Sequence, residues 1–265
     1  MENVNSNIKT IILCGGMGTR LKEETEFKPK PLVNIGSKPI LWHIMKIYSH
    51  FGYNDFILAL GFKGEMIKNY FLDKNYQQAD FTINTEQGSF SNIYYNNKFG
   101  KDNFNITFSD TGLKTPHGER VLKLKKYINE DIFMVTYGDG IANIDINKLV
   151  EFHKSKGKIA TITGIHPTSK WGLIKTDKQG FLTQFDQKPY LYDYANGGFM
   201  VFNKEFFDFI KPGDMIEDSF KRLIPIKQIS LYKHEDFWYG MDTYRDFMFL
   251  NKLWEENPKW KIWKS

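Results

Sequence analysis

Cysteine is almost absent from this chain: Cys14 is the one instance in 265 residues. A lone thiol excludes an intramolecular disulfide framework and any zinc site built on several cysteines, and it agrees with a reducing compartment. Long apolar runs are missing as well. None approaches the ~20 residues that cross a bilayer, and the polar opening Met1 to Asn7 has no signal-peptide architecture, so the expectation is no membrane association and a cytoplasmic location. The six histidines are scattered without metal-ligand spacing, and only His117, inside a Gly/Pro-containing loop, invites a functional role. No Gly-x-Ser-x-Gly elbow occurs and Cys14 ends an apolar run, so nucleophilic catalysis has no support. Nor is there a block of one charge. The 36 basic and 31 acidic side chains are interspersed, giving a net +5. Such a surface argues against a nucleic-acid partner and fits a locally basic pocket for a small anionic substrate.

What the chain does contain is enough apolar matter for a substantial core, at 41% hydrophobic with 16% aromatic residues, in one large domain or two small ones. The apolar run Ile8–Leu13 reads as a buried strand closed by Gly15-Gly16. Apolar positions at helical spacing follow Pro39 and stop at Gly52, and Asp55–Leu60 is a second buried strand. A short helix at Glu65–Phe71 and a strand at Phe81–Asn84 come next. Residues 84–105 are polar and weakly patterned, which suggests a long excursion or lid. Asn105–Ser109 and Ile132–Tyr137 read as strands, with a loop around His117 and a helix beginning near Val121 between them. Asp145–Lys156 is an amphipathic helix and Ile159–Thr163 a strand. Leu173–Lys175 and Phe181–Phe185 make a hairpin around Asp177–Gly180. A strand follows Asn196-Gly197-Gly198, a helix Glu217–Leu223, a strand Ile229–Tyr232, and then a terminal helix and a Trp-rich tail that packs on the body or on another subunit. The alternation of strand and helix implies parallel strands joined by crossovers, an α/β sheet with ligands at the carboxyl ends of its strands. No linker or repeat interrupts it, so a single domain with a second lobe is the economical reading.

The stretch Ile8–Pro31 holds a chemical pattern. Gly15, Gly16 and Gly18 let backbone approach a ligand closely and aim N–H groups at phosphate oxygens; a plain tight turn is the alternative. The loop is neither a P-loop, which needs Lys-Ser/Thr after its last glycine, nor a dinucleotide fingerprint, since Leu21 stands where a third glycine belongs. Arg20 beside the loop and Lys30 ten residues on supply fixed cations of the sort polyphosphate chemistry needs. Pro29 and Pro31 bias the segment carrying Lys28 and Lys30 toward extended backbone. Asp139 in Tyr-Gly-Asp-Gly and Asp242 in Met-Asp-Thr are the carboxylates best suited to Mg²⁺, which wants a few hard oxygens. A turn aspartate and a helix N-cap are the respective alternatives.

The string LCGGMGTRLKEETEFKPKPLVNIGSKPILWHIMKIYSHFG resembles the opening of the sugar-phosphate nucleotidyltransferases, most nearly the glucose-1-phosphate cytidylyltransferases. The similarity runs on through TYGDG, the NGG segment, FWxxMDTxRD and the Trp-rich tail, nearly the whole chain. The resemblance implies a Rossmann-like mixed, mostly parallel sheet flanked by helices, with a small acceptor-binding lobe. It implies a nucleotide-binding half over about 1–145 and an acceptor-binding and oligomerisation half over about 146–265. It also implies Mg²⁺-dependent transfer of CMP from CTP to a phosphorylated acceptor such as glucose 1-phosphate, release of pyrophosphate, and a homo-oligomer, hexameric in the cytidylyltransferases. Carried over by motif, Gly15, Gly16, Gly18, Thr19 and Arg20 hold the triphosphate, with Gly118 and Arg120 on the nucleobase side. Arg20 and Lys30 are catalytic, and Asp139 and Asp242 bind the metal. Gly172, Gln187, Lys188, Asn196 and Gly197 face the acceptor.

The chain departs from the pattern in three places. Gln187 stands where the family usually has a glutamate that accepts hydrogen bonds from sugar hydroxyls; an amide is neutral and brings donors of its own, so another sugar phosphate or a polyol phosphate such as glycerol phosphate becomes an alternative acceptor. His117-Gly118-Glu119-Arg120 replaces Thr-Gly-Gly-Arg, which opens both the nucleobase preference and the geometry of that loop. Lys170-Trp171 replaces the usual Arg-Phe before Gly172. A catalytically silent nucleotide-binding relative is the reading from another class, set against the presence of Arg20, Lys30, Asp139 and Asp242.

Overall fold

Seven strands carry the architecture: β1 Thr10–Leu13, β2 Asp55–Leu60, β3 Asn105–Asp110, β4 Ile132–Tyr137, β5 Ala160–Ile165, β6 Ala195–Asn203 and β7 Ile229–Lys233. They form one sheet in the order β7-β5-β6-β4-β1-β2-β3. The structure, a computed structural model, describes residues 8–16, 18, 21–76, 79–84, 89–95, 102–169, 171–187, 189 and 191–263, with backbone alone for 22, 23, 73–76, 79–84 and 89–95. The helices are α1 Lys22–Thr25, α2 Ile40–His50, α3 Gly64–Tyr76, α4 His117–Lys123, α5 Ile146–Lys156, α6 Ile216–Leu223 and α7 Tyr244–Glu256.

The central strands are apolar throughout because both faces of the sheet are covered. Ile12 of β1 packs with Leu41, Ile44 and Tyr48 of α2 and Leu149 of α5. Its neighbours Ile11 and Leu13 point the other way, toward Val121 of α4 and Phe220 and Leu223 of α6. The period-two alternation of a strand thus feeds two cores, and each fully buried aliphatic side chain adds about 1.5–3 kcal/mol. The helix stops behave as read: α2 runs out at Phe51 and Gly52, the latter at φ +90°, and α5 starts on an Asp145 side chain that accepts from the Lys148 N–H.

Four of the six pairings in this sheet are parallel and two are antiparallel. The strand–helix alternation taken by itself implies parallel strands, and it fails at β6, which opposes both β4 and β5. The reason lies in the connection. Among the described residues, no helix lies between the end of β5 and the start of β6. Residues 166–194 leave and return at the same edge, within them the antiparallel hairpin Leu173–Thr176 and Leu182–Asp186, so β6 must run backward. The result is a mixed, mostly parallel sheet flanked by helices in which the ends of β1, β2, β3, β4 and β5 and the start of β6 share one edge.

Other differences are local. The lid expected over 84–105 contains a strand, Ser89–Tyr95, paired antiparallel with Ala79–Asn84. The Lys30 segment, expected extended, makes one 3-10 turn over Lys30–Leu32, which Pro29 and Pro31 permit because their fixed φ suits a helical first turn. The loop expected at His117 is the first turn of α4. The tail packs on the body: Trp260 is fully buried and its Nε1 donates to His43 Nδ1 at 3.3 Å.

Candidate active site

The cleft opens at the carboxyl edge of the sheet, where β1 and β4 end side by side with Leu13 opposite Tyr137. It encloses about 210 Å³, and Gly16, Gly18, Lys30, His117, Tyr137 and Asp139 are among its walls.

At its base lies a three-residue ionic centre. Lys30 Nζ donates to Asp139 Oδ2 at 2.6 Å and to Asp242 Oδ1 at 2.8 Å. Each group arrives by a different route: Lys30 from the proline-flanked turn, Asp139 from the turn after β4, Asp242 from the chain just before α7. The last two are fixed to each other through backbone. Trp238–Gly240 pairs antiparallel with Gly140–Ala142, and the Met241 N–H donates to the Asp139 carbonyl at 2.9 Å. The N-cap of α7 is Thr243, in a reciprocal box with Asp246, so Asp242 is not spent as a cap. Burial opposes the Lys30 charge, but Asp139 and Asp242 more than offset it by charge and hydrogen bonding, and the pKa lies above the ordinary lysine value. The two carboxylates thus favour the ammonium form.

The glycines divide by role. A Cβ at Gly16 would meet open space, and Gly18 adopts φ +62° with Lys30 Cβ and Thr25 packed against it. Gly15 instead makes room for Arg120: a Cβ there would sit 2.3 Å from the guanidinium. Arg120 is 2% exposed and lies beneath the loop, donating from Nη1 to the Leu60 carbonyl at 3.0 Å and Thr111 Oγ1 at 2.6 Å, and from Nη2 to the Gly15 and Leu113 carbonyls at 3.2 Å. In these contacts Arg120 ties the ends of β1 and β2 together. Gly118 lies against the backbone of Asp214 and Met215. Glu119 turns to the same segment, accepting from the Gly213 N–H at 2.8 Å and pairing with Lys123 at 3.1 Å. Thr19 and Arg20 lie outside the described residues, as do Lys170 and Lys188.

Among the residues expected to face the acceptor, Asn196 Oδ1 accepts from the Gly198 N–H at 3.0 Å and its Nδ2 donates to the Tyr137 hydroxyl at 3.4 Å. The Gly197 carbonyl accepts from Trp238 Nε1 at 2.7 Å. Gly172 and Gln187 meet at the base of the hairpin, a Cβ on the glycine falling 3.2 Å from Gln187 Oε1. The structure thus gathers Gly16, Gly18, Lys30, Asp139 and Asp242 in one place, Tyr137 with Asn196 beside it, and Gly172 with Gln187 on the hairpin. Tyr137 and Glu217 were not singled out by sequence. Tyr137 reads as a strand end and Glu217 as a polar position on an amphipathic helix, and no local motif announces a partnership across 80 positions.

Residues 9–257 match the family described as Nucleotidyl transferase. A Bacillus subtilis protein named "Probable glucose-1-phosphate cytidylyltransferase" is 42% identical over 97% of this chain and 100% of its own. The glucose-1-phosphate cytidylyltransferase of Salmonella typhimurium is 38% identical over 97% and 100%. In three dimensions, a UTP-bound UGPase from Acinetobacter baumannii aligns with a TM-score of 0.69 at 16% identity, covering 96% of this chain and 95% of that one, a likeness of fold.

Proposed function

The chain belongs to the nucleotidyl transferase family, and from that premise we propose that it joins CMP from CTP to glucose 1-phosphate, giving CDP-glucose and pyrophosphate. The names borne by full-length relatives support the substrates, and the observation that carries the chemistry is the convergence of Lys30, Asp139 and Asp242 beside an open glycine loop.

A phosphate oxygen of the acceptor attacks the α-phosphorus of CTP. The new P–O bond forms as the bond from that phosphorus to the bridging oxygen breaks, and the electron pair leaves with pyrophosphate. The attacking phosphate is already ionised at neutral pH, so no general base is needed. Catalysis is then positioning and charge neutralisation. The Lys30 ammonium faces the oxygens of the α-phosphate. The backbone of Gly16 and Gly18 admits the triphosphate, and Arg120 holds that loop from below. Arg20 takes the triphosphate role that the resemblance assigns it.

Two convergent carboxylates have the hard-oxygen chemistry that suits Mg²⁺, which retains water and substrate phosphates as its other ligands; it does not require the cluster of three acidic, His or Cys side chains that is lacking among the described residues. We assign Asp139 and Asp242 to hold it. Bound there, the ion would neutralise charge on the phosphate oxygens.

The test is to supply the protein and Mg²⁺ with each nucleoside triphosphate against a panel of phosphorylated acceptors and measure pyrophosphate release. CTP with glucose 1-phosphate should be the best pair. Release with CTP and a different acceptor alone would select the second reading, which Gln187 favours. No release from any pair would remove both. The homo-oligomer implied by resemblance is proposed too. It is supported by the exposed apolar side chains of the hairpin, Ile174, Phe181, Leu182 and Phe185, and sedimentation would test it.

A further inference from the structure

Resting on that reading, we propose that Tyr137 and Glu217 form a hydroxyl-reading pair for the acceptor, selecting a neutral polyhydroxyl body and rejecting one that carries a carboxylate at the same place. Tyr137 ends β4 two residues before Asp139, and its ring lines the cleft. Its hydroxyl donates to Glu217 Oε1 at 2.9 Å and accepts from Asn196 Nδ2 at 3.4 Å. A phenol has one proton and two lone pairs, so this arrangement uses the proton and one lone pair and leaves the second lone pair for a ligand donor. The other Glu217 oxygen has no partner among the described residues. The pair therefore offers acceptors only, which is what a sugar or polyol hydroxyl can satisfy and a carboxylate cannot.

The ring's position depends on Gly198. That residue has φ +83°, and a Cβ there would lie 2.5 Å from Tyr137 Cδ2. The second glycine of the Asn-Gly-Gly segment thus gives the phenol its place. The hydrogen bond to Glu217 keeps the phenol O–H directed at that carboxylate. The negative charge on Glu217 also separates the two ends of the acceptor. The phosphate is drawn to the Lys30 ammonium and kept from Glu217, which fixes the acceptor's direction in the cleft.

The experiment is steady-state kinetics of the wild type, Tyr137→Phe and Glu217→Gln, with glucose 1-phosphate, its monodeoxy analogues and glucuronic acid 1-phosphate. Both variants should raise the acceptor KM about tenfold or more, with the CTP KM within about twofold of wild type. One deoxy analogue should lose about 10- to 100-fold in kcat/KM with the wild type and show no such penalty with the variants. Glu217→Gln should narrow the gap between glucose and glucuronic acid 1-phosphates. Wild-type turnover with the same deoxy penalties in both variants, or a loss confined to the CTP KM, would overturn the pair's role and leave the functional reading intact. Absence of wild-type turnover with any acceptor would overturn the functional reading, and the inference with it. A purely structural role predicts uniform losses across the analogues, which this series separates from selective ones.

Discussion

Lys30 and Asp242 stand 212 positions apart in the sequence and 2.8 Å apart in the fold, with Asp139 on the other side of the same ammonium at 2.6 Å. Two carboxylates that would repel each other are held together by a cation from the glycine-loop side of the site. Replacing Lys30 by Ala removes the charge proposed to face the α-phosphate. We expect kcat to fall about 100- to 1,000-fold, the cost of losing one preorganised charge donor, with a cooperative unfolding transition retained. Pyrophosphate release and a thermal melt check it, and near wild-type turnover would remove Lys30 from its role.

Arg120 should act on stability and on the loop together. Its guanidinium serves four acceptors while 2% exposed, and Arg120→Met removes all four hydrogen bonds, although the Leu60 carbonyl keeps the Thr111 donors and the Gly15 carbonyl the Phe62 N–H. The expected loss is about 3 kcal/mol in urea unfolding, in the range for breaking a buried charged network. Gly15→Ala pushes the same guanidinium from its seat and should raise the CTP KM. A variant with unchanged stability and unchanged CTP KM would contradict the support role.

His43 gives the fold a pH dependence. Burial pulls its pKa from the ordinary 6.5 to about 4, and its Nδ1 accepts from Trp260 while Nε2 meets the Ile35 carbonyl at 3.0 Å. The native state holds the ring neutral and the unfolded chain takes the proton first. The contribution is complete above 6.5 and is lost as pH falls toward about 4, to a total of about 3 kcal/mol. Urea midpoints at neutral pH and near pH 4.5 should show a smaller acid loss in His43→Gln than in the wild type. Equal losses would contradict the assignment.

Gln187 sits at the base of the exposed hairpin beside Gly172. If it contacts the acceptor, Gln187→Glu should move preference toward glucose 1-phosphate across the acceptor panel by about tenfold, the worth of one hydrogen bond to a charged group. An unchanged profile would place Gln187 away from the acceptor.

The parts of this molecule that sequence makes legible are those encoded locally. Ile8–Leu13, Asp55–Leu60 and Ile132–Tyr137 announce buried strands by their apolar runs, and the Gly-rich loop, Lys30, Asp139 and Asp242 announce themselves by residue type and motif. What sequence does not disclose is set by partners far along the chain. The reversal of β6 follows from where residues 166–194 return. The burial of Arg120 follows from Gly15 and Leu60 lying over it. The first turn of α4 at His117 reads as loop because Pro116 and Gly118 are loop formers, yet Pro116 serves as its N-cap. Gly118 is needed there for close packing on Asp214.

The most direct test of the central claim follows the phosphorus. CTP labelled at the α-phosphate is incubated with unlabelled glucose 1-phosphate, Mg²⁺ and the protein, and the products are separated. Attack at the α-phosphorus beside Lys30 predicts that all transferred label appears in CDP-glucose and none in pyrophosphate. Label released in CMP, or no labelled nucleotide sugar while the protein remains folded, would contradict it.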